Sequence, residues 1–393
     1  MEGKRRESSF IPDHICELIL EKLKPLSKDY FRFGCVSKQW FSILMQDRER
    51  RRRLHHTNEL VPLLVLPSRR HNDGTVKAVV NTLFSITDKT KMNGIDLRVT
   101  YDVGVDDIVN YCGSSYGWLC YFLKAFEIVL CNPFAAVDNV IRLPPIIRAS
   151  YATVSCSETD DKYSVRKIVL SADPRTTNNF LIATIYNRGC DELAFLNYNA
   201  NANANTNFPS WTYFEQDKLW DQFSDVIFHQ GLVYACGKRH CYVIKVGPND
   251  YGPGFQVCTK INTPIIHGHS YLTVTTSTKE LLLIYKLRMC VVMFQVFKLT
   301  KNQDEELQWV NVTNLDGDAV FVGSNHTVSV VASASTGCLP DSIYFTDDCP
   351  NIFVNVGPGP GDIGVVNKSE ITRYRVPTLE RLDIPPIWIL PMF

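Results

Sequence analysis

From about residue 60 onward, short apolar runs alternate with turn residues, and this recurrence most strongly constrains the fold. The runs are rich in β-branched and aromatic residues, and no stretch between them has the periodicity of a long helix. The connectors 229–231, 237–240 and 277–280 are short enough for hairpins. The pattern therefore predicts an antiparallel all-β domain. The clearest runs are 167–171, 180–187, 192–199, 225–229, 231–236, 241–246, 271–276, 280–287, 290–299, 308–313, 328–333 and 341–346.

Three sequence signals occur twice in this region, in the same order. The spacings differ between the two copies, and the polar segment 197–208 is interpreted as a loop insertion in one of them. Repeated four-stranded units of roughly 40–50 residues are typical of a β-propeller. We predict a kelch-like propeller of about six or seven blades, with a pair of β-sandwiches as the alternative. The repeated signals are 150–155 with 270–275, Trp211 with Trp309, and 225–228 with 318–321.

From residue 11 to about 48 the pattern is different, and apolar residues fall at helical spacing. Ile15, Ile19 and Leu23 form one stripe at i, i+4 and i+8, with Cys16 and Leu20 beside it. We predict three short helices and therefore a small N-terminal module ahead of a mainly β chain. The predicted domains are a helical module at 8–48, a basic linker at 49–59 and the propeller at 60–393.

The predicted helix starts rest on side chains that cap helices. Pro12 and Asp13 suit the first turn of the first helix, because proline needs no hydrogen-bond partner there and an acid meets the positive end of the helix dipole. Ser27 and Ser37 are predicted to cap the second and third helices. A module of this size rarely supports an independent core. Its aromatic and aliphatic surface must be covered by the β domain or by another protein.

Residues 11–43 resemble an F-box. The motif opens with Ile11-Pro12 and closes with Val-Ser-Lys-Gln-Trp at 36–40, while Gly34 and Phe41 depart from the usual residues. The resemblance implies docking on the Skp adaptor of a cullin-based ubiquitin ligase, which gives the apolar surface a partner. The residues expected to contact that adaptor are Ile11, Pro12, Ile15, Ile19, Leu20, Leu23, Phe33, Val36 and Trp40.

The rest of the chain resembles the plant F-box-associated β-propeller domain, a family largely of unknown function. This resemblance implies a propeller that selects a protein target for ubiquitylation, and it brings no catalytic residues and no cofactor. The substrate-binding residues stay unknown at this stage. The fragments that carry the resemblance are 112–119, 131–134, 143–145, 317–325, 337–348, 361–367 and 385–391.

Candidate chemical sites in the sequence are weak. His267 and His269, or the group His229, Cys236, His240 and Cys241, miss the spacing of zinc ligands, so no metal is predicted. The glycine-rich segment 357–364 lacks a following Lys-Ser/Thr and is interpreted as a blade-connecting loop. The acid pairs 106–107 and 347–348 have no positioned partner and are read as turn residues. We therefore predict a protein that is not an enzyme.

Charge and composition bear on location and partners. Lys+Arg and Asp+Glu both number 41, so nothing favours nucleic acid or a membrane surface. The first ten residues are charged and lack the apolar run of a secretory signal, and the 13 cysteines form no disulfide framework. We expect a cytoplasmic or nuclear protein that is not secreted. The basic run 48–53 is either a nuclear import signal or a solvated helix end.

The function predicted from the sequence is that of a substrate-recognition adaptor in a Skp–cullin–F-box ubiquitin ligase. Two alternatives stay open. The first is an F-box protein that acts outside a ligase, as a scaffold or inhibitor. The second is a propeller enzyme, which would need acids, histidines or a metal converging in the central channel.

Overall fold

The computed structural model has two compact units, residues 1–59 and residues 60–392. No helix among the residues it describes is long and apolar enough to cross a membrane. The described residues are 11–23, 33, 36–37, 39–40, 42–44, 46–47, 60–66, 79–87, 95–99, 108–123, 126–134, 140–146, 164–187, 191–199, 210–214, 222–249, 252–288, 292–323, 327–346, 363–367, 370–374 and 386–391.

In the first unit, helix α1 spans Asp13–Lys22. Pro12 is its N-cap residue and Asp13 provides an acidic side chain in its first turn, as the sequence predicted. Helical backbone recurs at residues 33, 39–40, 42–44 and 46–47. Ser27, the expected cap of a second helix, lies outside the described residues.

The second unit is a β-propeller, and its described strands form six sheets, which we call blades 1 to 6 in chain order. Six is within the predicted range of blades. The strands of the first three blades are β1 (Leu63–Leu66), β2 (Val79–Phe84), β3 (Ile95–Val99), β4 (Ile108–Ser115), β5 (Trp118–Leu123), β6 (Ile128–Cys131), β7 (Val140–Leu143), β8 (Ser164–Leu170), β9 (Asn179–Asn187), β10 (Asp191–Asn199) and β11 (Thr212–Tyr213). Those that follow are β12 (Phe223–His229), β13 (Leu232–Gly237), β14 (His240–Asn249), β15 (Gly252–Asn262), β16 (His269–Val274), β17 (Leu281–Arg288), β18 (Val292–Lys301), β19 (Leu307–Val312), β20 (Asp318–Val322), β21 (Thr327–Val331), β22 (Ser342–Phe345), β23 (Ile363–Asn367), β24 (Glu370–Tyr374) and β25 (Ile387–Ile389).

Each blade is one sheet with a defined strand order. The orders are β25-β1-β2-β3, β4-β5-β6-β7, β8-β9-β10-β11, β12-β13-β14-β15, β16-β17-β18-β19 and β21-β20-β22-β23-β24. The first strand of each order contacts the first strand of the next blade, from β25 through to β21. These six strands therefore form the inner ring of the propeller.

Each of the twelve runs predicted from the sequence overlaps a strand of blades 3 to 6. The short connector at 229–231 is a hairpin turn, in which Gln230 and Gly231 have φ of 49° and 76°. Two successive residues of positive φ give a turn whose twist matches that of the flanking strands, and glycine adopts this conformation without strain. Local sequence therefore specified these strands and their hairpins well.

Blade 6 differs from the predicted antiparallel pattern. β20 pairs in antiparallel fashion with β21 but in parallel fashion with β22. The reason is that β21 runs antiparallel to β20 and ends beside the start of β20. The segment 332–341 then crosses to the other edge of β20, so β22 runs in the same direction as β20. The Asp341 carboxylate fixes this crossing by accepting hydrogen bonds from the N–H groups of Leu315 (2.8 Å) and Gly317 (3.2 Å).

The repeated signals in the sequence have different outcomes. Trp211 immediately precedes β11 and Trp309 lies in β19, so both mark the fourth strand of a blade. The pair 225–228 and 318–321 is not equivalent, because β12 is the inner strand of its blade whereas β20 lies between two other strands. The segment 150–155 lies outside the described residues, and Ile363 and Gly364, at the end of the predicted loop, lie in β23.

Ring closure depends on Trp388 in β25. This strand pairs with β1, so Trp388 lies opposite Leu64 and is fully buried. Its Nε1 donates a hydrogen bond to the carbonyl oxygen of Val322 in blade 6 (3.0 Å), and its own carbonyl oxygen accepts one from Ser114 Oγ in blade 2 (2.6 Å). A Cβ at Gly323 would lie 2.8 Å from Thr346 Oγ1 and 3.2 Å from the indole, so glycine favours this close approach. One residue thus joins blades 6, 1 and 2.

The junctions of blades 3, 4 and 5 share a buried ion pair. Lys167 on β8 contacts the carboxylate of Asp225 on β12, and both side chains are almost completely buried. The other Asp225 carboxylate oxygen accepts the N–H of Leu272 on β16 (2.6 Å). A buried charge is tolerated when it is paired and hydrogen-bonded, as it is here. This group therefore links three successive inner strands.

The two other junctions are also bridged by polar side chains, among them Ser115 and Lys286. Between blades 2 and 3, Ser115 Oγ accepts the N–H of Leu170 (3.2 Å). Between blades 5 and 6, the buried Lys286 Nζ donates to the carbonyl oxygen of Thr346 (2.7 Å). Together with the contacts of Trp388 and Asp225, these bonds bridge all six junctions of the ring.

We predict that the closing indole contributes more to stability than an otherwise similar tryptophan. Trp388→Phe should lower the free energy of unfolding by about 1–3 kcal/mol, because the fully buried indole loses its hydrogen bond to the Val322 carbonyl and the smaller ring leaves a cavity, although that carbonyl keeps the N–H of Thr346 (3.2 Å). The matched control is Trp309→Phe on β19. The Nε1 of Trp309 is buried without a hydrogen-bond partner, so this change should cost less than about 1 kcal/mol. Urea unfolding measures both values, and equal losses would contradict the role assigned to Trp388.

A second prediction compares neighbouring cations on β8. Lys167→Met should destabilise the propeller by about 3–5 kcal/mol, because the buried Asp225 carboxylate loses its counter-ion. Arg166→Met removes the adjacent pair with Asp191 (2.6 Å), which is partly exposed, and should cost no more than about 1 kcal/mol. Thermal unfolding followed by circular dichroism provides the comparison. Equal melting temperatures of the two variants would show that the buried ion pair does not stabilise the junction between blades 3 and 4.

Candidate functional site

The helical unit has a small core of its own. Cys16, Leu20, Phe33, Ile43 and Leu44 are buried there, and a second set of apolar side chains packs against them while partly exposed. The Phe33 and Trp40 rings lie 4.4 Å apart between centroids. The core is therefore built from α1 and the later helical segments together. The partly exposed set is Ile11, Leu23 and Trp40.

Polar contacts fix the segment around Trp40 relative to α1. Ser37 Oγ accepts the N–H of Trp40 (3.2 Å), which is the N-cap interaction predicted from the sequence. Gln39 Nε2 donates to the carbonyl oxygen of Ile11 (3.2 Å) and also contacts the Asp13 carboxylate. Because these bonds reach both ends of the motif, the first turn of α1 and the Ser37-capped segment are held side by side.

The thiol of Cys16 acts as an apolar core group. Burial raises its pKa, with further increases from the carboxylates of Asp13 and Glu17, so the thiol stays protonated. Its Sγ lies 4.0 Å from the carbonyl oxygen of Ile11. The residue is therefore a packing contact between α1 and the chain that precedes it.

A second apolar stripe of α1 faces outward. Ile15, Leu18 and Ile19 follow each other at i, i+3 and i+4, and they are 39%, 53% and 37% exposed. We call these three residues the outer face of α1. Val36, in the connection before Trp40, is 61% exposed. Apolar side chains with this exposure on a small unit are typical of a surface that another protein covers.

The nine residues predicted to contact the adaptor fall into three groups. Leu20 and Phe33 are buried, so they can only support the surface through packing and cannot contact a partner directly. Ile11, Leu23 and Trp40 are partly exposed. Leu18 was not predicted, although its place three residues after Ile15 is a signal that could have indicated it. The exposed group is Pro12, Ile15, Ile19 and Val36.

Within the described part of the propeller, the weak chemical candidates do not assemble into a site. Cys236 and Cys241 are neighbours across β13 and β14 and are fully buried. Among the residues that the model describes, no group of three or more His, Cys, Asp or Glu side chains could hold a metal ion. The acid pairs 106–107 and 347–348 and the basic run 48–53 fall outside that part of the chain.

Buried thiols of the propeller are packing groups as well. Cys112, Cys120 and Cys338 are buried. Burial is the main cause that raises the pKa of each thiol, and that of Cys338 reaches about 11. A protonated thiol is a poor nucleophile and a poor metal ligand. These cysteines therefore offer no reactive centre.

Comparison with known families agrees with this division of the chain. The F-box domain model matches residues 9–52, and the KIB1-4 beta-propeller model matches residues 83–367. The chain belongs to the KIB1-4 beta-propeller family. It is a plant F-box protein with a propeller, as the resemblances in its sequence indicated.

Its relatives are F-box proteins of Arabidopsis thaliana. It is 47% identical over 80 residues to F-box protein At2g17690, covering 20% of this chain and 19% of that protein. It is 26% identical over 208 residues to putative F-box protein At3g25750, covering 49% of this chain and 55% of that protein. The chain thus spans less than two thirds of the curated relatives it matches.

Solved structures resemble this KIB1-4 family member only loosely. The Cps50 (Swd1) beta-propeller domain of Myceliophteria thermophila gives a TM-score of 0.37 at 10% identity, covering 80% of this chain and 85% of that one. BBS1N in complex with ARL6DN gives 0.36 at 11% identity, covering 80% and 74%. Likenesses this loose carry no functional argument.

The N-cap at Ser37 gives a testable prediction for this surface. Ser37→Ala should destabilise the helical unit by about 1 kcal/mol, because the Trp40 N–H loses its acceptor. Ser37→Asp keeps an acceptor and should stay close to the wild-type stability. Hydrogen exchange of the amide of Trp40 provides the measurement. Equal exchange rates in the two variants would show that Ser37 does not cap this helix.

Proposed function

We propose that this protein is the substrate-recognition adaptor of a Skp–cullin–F-box ubiquitin ligase. The F-box would dock on the Skp adaptor, and the propeller would hold a protein target. The observation that carries the proposal is the exposed outer face of α1, formed by Ile15, Leu18 and Ile19 within a matched F-box. These side chains are left uncovered by the small core beneath them, so binding a partner is the natural way to remove them from water.

The proposed interface has a rigid base. Leu20 and Phe33 are buried under the surface, and Gln39 ties the start of α1 to the segment that carries Trp40. Such a base reduces the entropy lost on binding, because the apolar contacts are already held in place. The partner would cover the surface of Trp40 and Leu23 that remains exposed, as is common for aromatic and aliphatic anchor residues.

The proposed mechanism is positional and needs no catalytic group on this chain. With the adaptor on the F-box and a target on the propeller, a conjugating enzyme brought by the cullin would transfer ubiquitin to a nearby lysine of the target. Holding the reactants in one complex raises their effective concentration. The complex would act in the cytoplasm, the nucleus or both.

Co-precipitation of the full chain with a Skp adaptor tests this proposal. Ile19→Asp combined with Val36→Asp should weaken adaptor binding at least about tenfold, because two charges would enter an apolar contact. The matched control is Met293→Asp combined with Val310→Asp. Both of those side chains are comparably exposed on blade 5, and their replacement should leave adaptor binding unchanged.

Two readouts accompany this experiment. Circular dichroism must show that both double variants fold, and undiminished binding by a folded Ile19/Val36 variant would refute the proposed interface. The captured complexes are also probed for a cullin. Adaptor without cullin would replace the ligase function by that of an F-box scaffold or inhibitor.

A further inference from the structure

The outermost strand of blade 5, β19, contains neither a charged residue nor a proline. Outermost strands carry unpaired backbone N–H and C=O groups, and proteins commonly protect them with charges, with proline or by keeping the strand very short. The outermost described strands of the other blades all have such protection, so β19 stands apart from them. The protecting features are Asp96 and Arg98 in β3, Arg142 in β7, the two-residue length of β11, Pro253 and Lys260 in β15, and Glu370 and Arg373 in β24.

The hairpin between β18 and β19 shows which backbone groups of β19 point away from the blade. The N–H of Asn302 donates to the carbonyl oxygen of Glu306 (2.9 Å), and hydrogen-bonded and non-bonded pairs alternate from there along the antiparallel ladder. The residues that bond to β18 are therefore Gln308, Val310 and Val312. The N–H and C=O groups of the residues between them point outward, and we call these groups the free edge: Leu307, Trp309 and Asn311.

The free edge is open to solvent. Among the described strands only β18 pairs with β19, and no other backbone hydrogen bond of the described residues ends on the free edge. Asn311 is exposed, and its neighbour Val310 is 41% exposed. Leu307 and Trp309, on the other face of the strand, pack against the core between blades 4 and 5. One face of β19 is thus anchored in the propeller, which lowers the ordering cost of binding at its edge.

The charges on the neighbouring strand are already paired. Lys298, directly opposite Val310 in the ladder, forms an ion pair with Glu280 (2.6 Å). Lys301, at the end of β18, contacts the Glu305 carboxylate in the hairpin turn. The strand pair therefore presents no uncompensated lysine to a partner, and complementarity favours an uncharged segment.

We propose that the free edge of β19 binds an extended, uncharged segment of the target protein, which adds to blade 5 as a fifth strand. This inference rests on the proposed function, in which the propeller recognises a protein. An extended backbone is what satisfies N–H and C=O groups that recur at the spacing of a strand. β-branched or aromatic residues at alternate positions of the segment would pack beside Val310. Blade 6 already has five strands.

A second copy of this chain fits the free edge less well. A strand of this length extends only about 20 Å. Two rigid propellers joined along it would bury much less than the about 1,200–2,000 Å² of a specific, stable interface. A flexible segment is not limited in this way, because it can pair with the edge and also cover the open face around Val310.

Selection from a phage-displayed library of random peptides on the full-length protein tests the proposal. The recovered peptides should be uncharged, with β-branched or aromatic residues at alternate positions and no proline among them. In fluorescence anisotropy, Asn311→Pro should weaken their binding at least about tenfold, because it removes an outward N–H and leaves the ladder to β18 intact. The matched control, Asn311→Ala, keeps that N–H and should bind within about twofold of wild type.

A second pair of variants does not alter the backbone. Val310→Lys should weaken peptide binding by about three- to tenfold, because it places a charge beside the added strand. Met293→Lys introduces the same charge on the other face of blade 5, at a residue that is 49% exposed, and should leave binding unchanged. Circular dichroism identifies the variants that fold.

Hydrogen exchange distinguishes strand addition from contact through side chains alone. A bound peptide should slow exchange of the outward amide of Trp309 at least about tenfold. The amide of Val310 already bonds to β18 and should change little. Selective isotope labelling of tryptophan and valine resolves the two amides by NMR.

Several outcomes would overturn the proposal. They are a selection that yields no binding peptides or mainly charged ones, peptide binding by folded Asn311→Pro or Val310→Lys equal to that of wild type, and an unprotected Trp309 amide in the bound state. A dimer in light scattering that Asn311→Pro dissociates would assign the edge to a second copy instead. Adaptor binding is measured in parallel, so failure of the F-box interface and failure of the free edge are distinguishable.

Discussion

The propeller depends on lateral contact between inner strands that belong to different sheets. Among the described strands, no ladder of backbone hydrogen bonds joins one blade to the next, so each junction needs apolar packing and a few side-chain bonds. The contacts of Ser115, Asp225 and Lys286 supply these bonds along the ring, and Trp388 completes it. Buried polar groups of this kind favour one register, because any displacement leaves a donor or acceptor without a partner.

Strands were predictable where their signal is local. Alternating apolar runs and short turns specify β12 and β13 without reference to the rest of the chain. The parallel pairing of β20 with β22 was not predictable from local sequence, because it follows from how the chain crosses the start of β20. The similarity of 225–228 to 318–321 was misleading for the same reason. A short apolar run after an aspartate fits any buried strand, whatever its position in the blade.

The helical module shows a related limit. The sequence indicated an F-box and most of its apolar residues, but period alone did not separate the outward stripe of Ile15 and Ile19 from the inward stripe of Cys16 and Leu20. Both stripes are apolar and lie side by side on α1. Two adjacent isoleucines in the loop between β15 and β16 pose the same difficulty, since only packing distinguishes the exposed Ile265 from Ile266, which packs against the core.

The pairing of β25 with β1 has a consequence for the order of events on the ribosome. β1 cannot pair with β25 until almost the whole propeller has been translated. In contrast, every residue of the F-box core precedes Leu63. At about 5–20 residues per second, that interval is on the order of tens of seconds. The core of the nascent F-box can therefore form while the ring is still open, and under the proposed function adaptor binding need not await closure of the propeller.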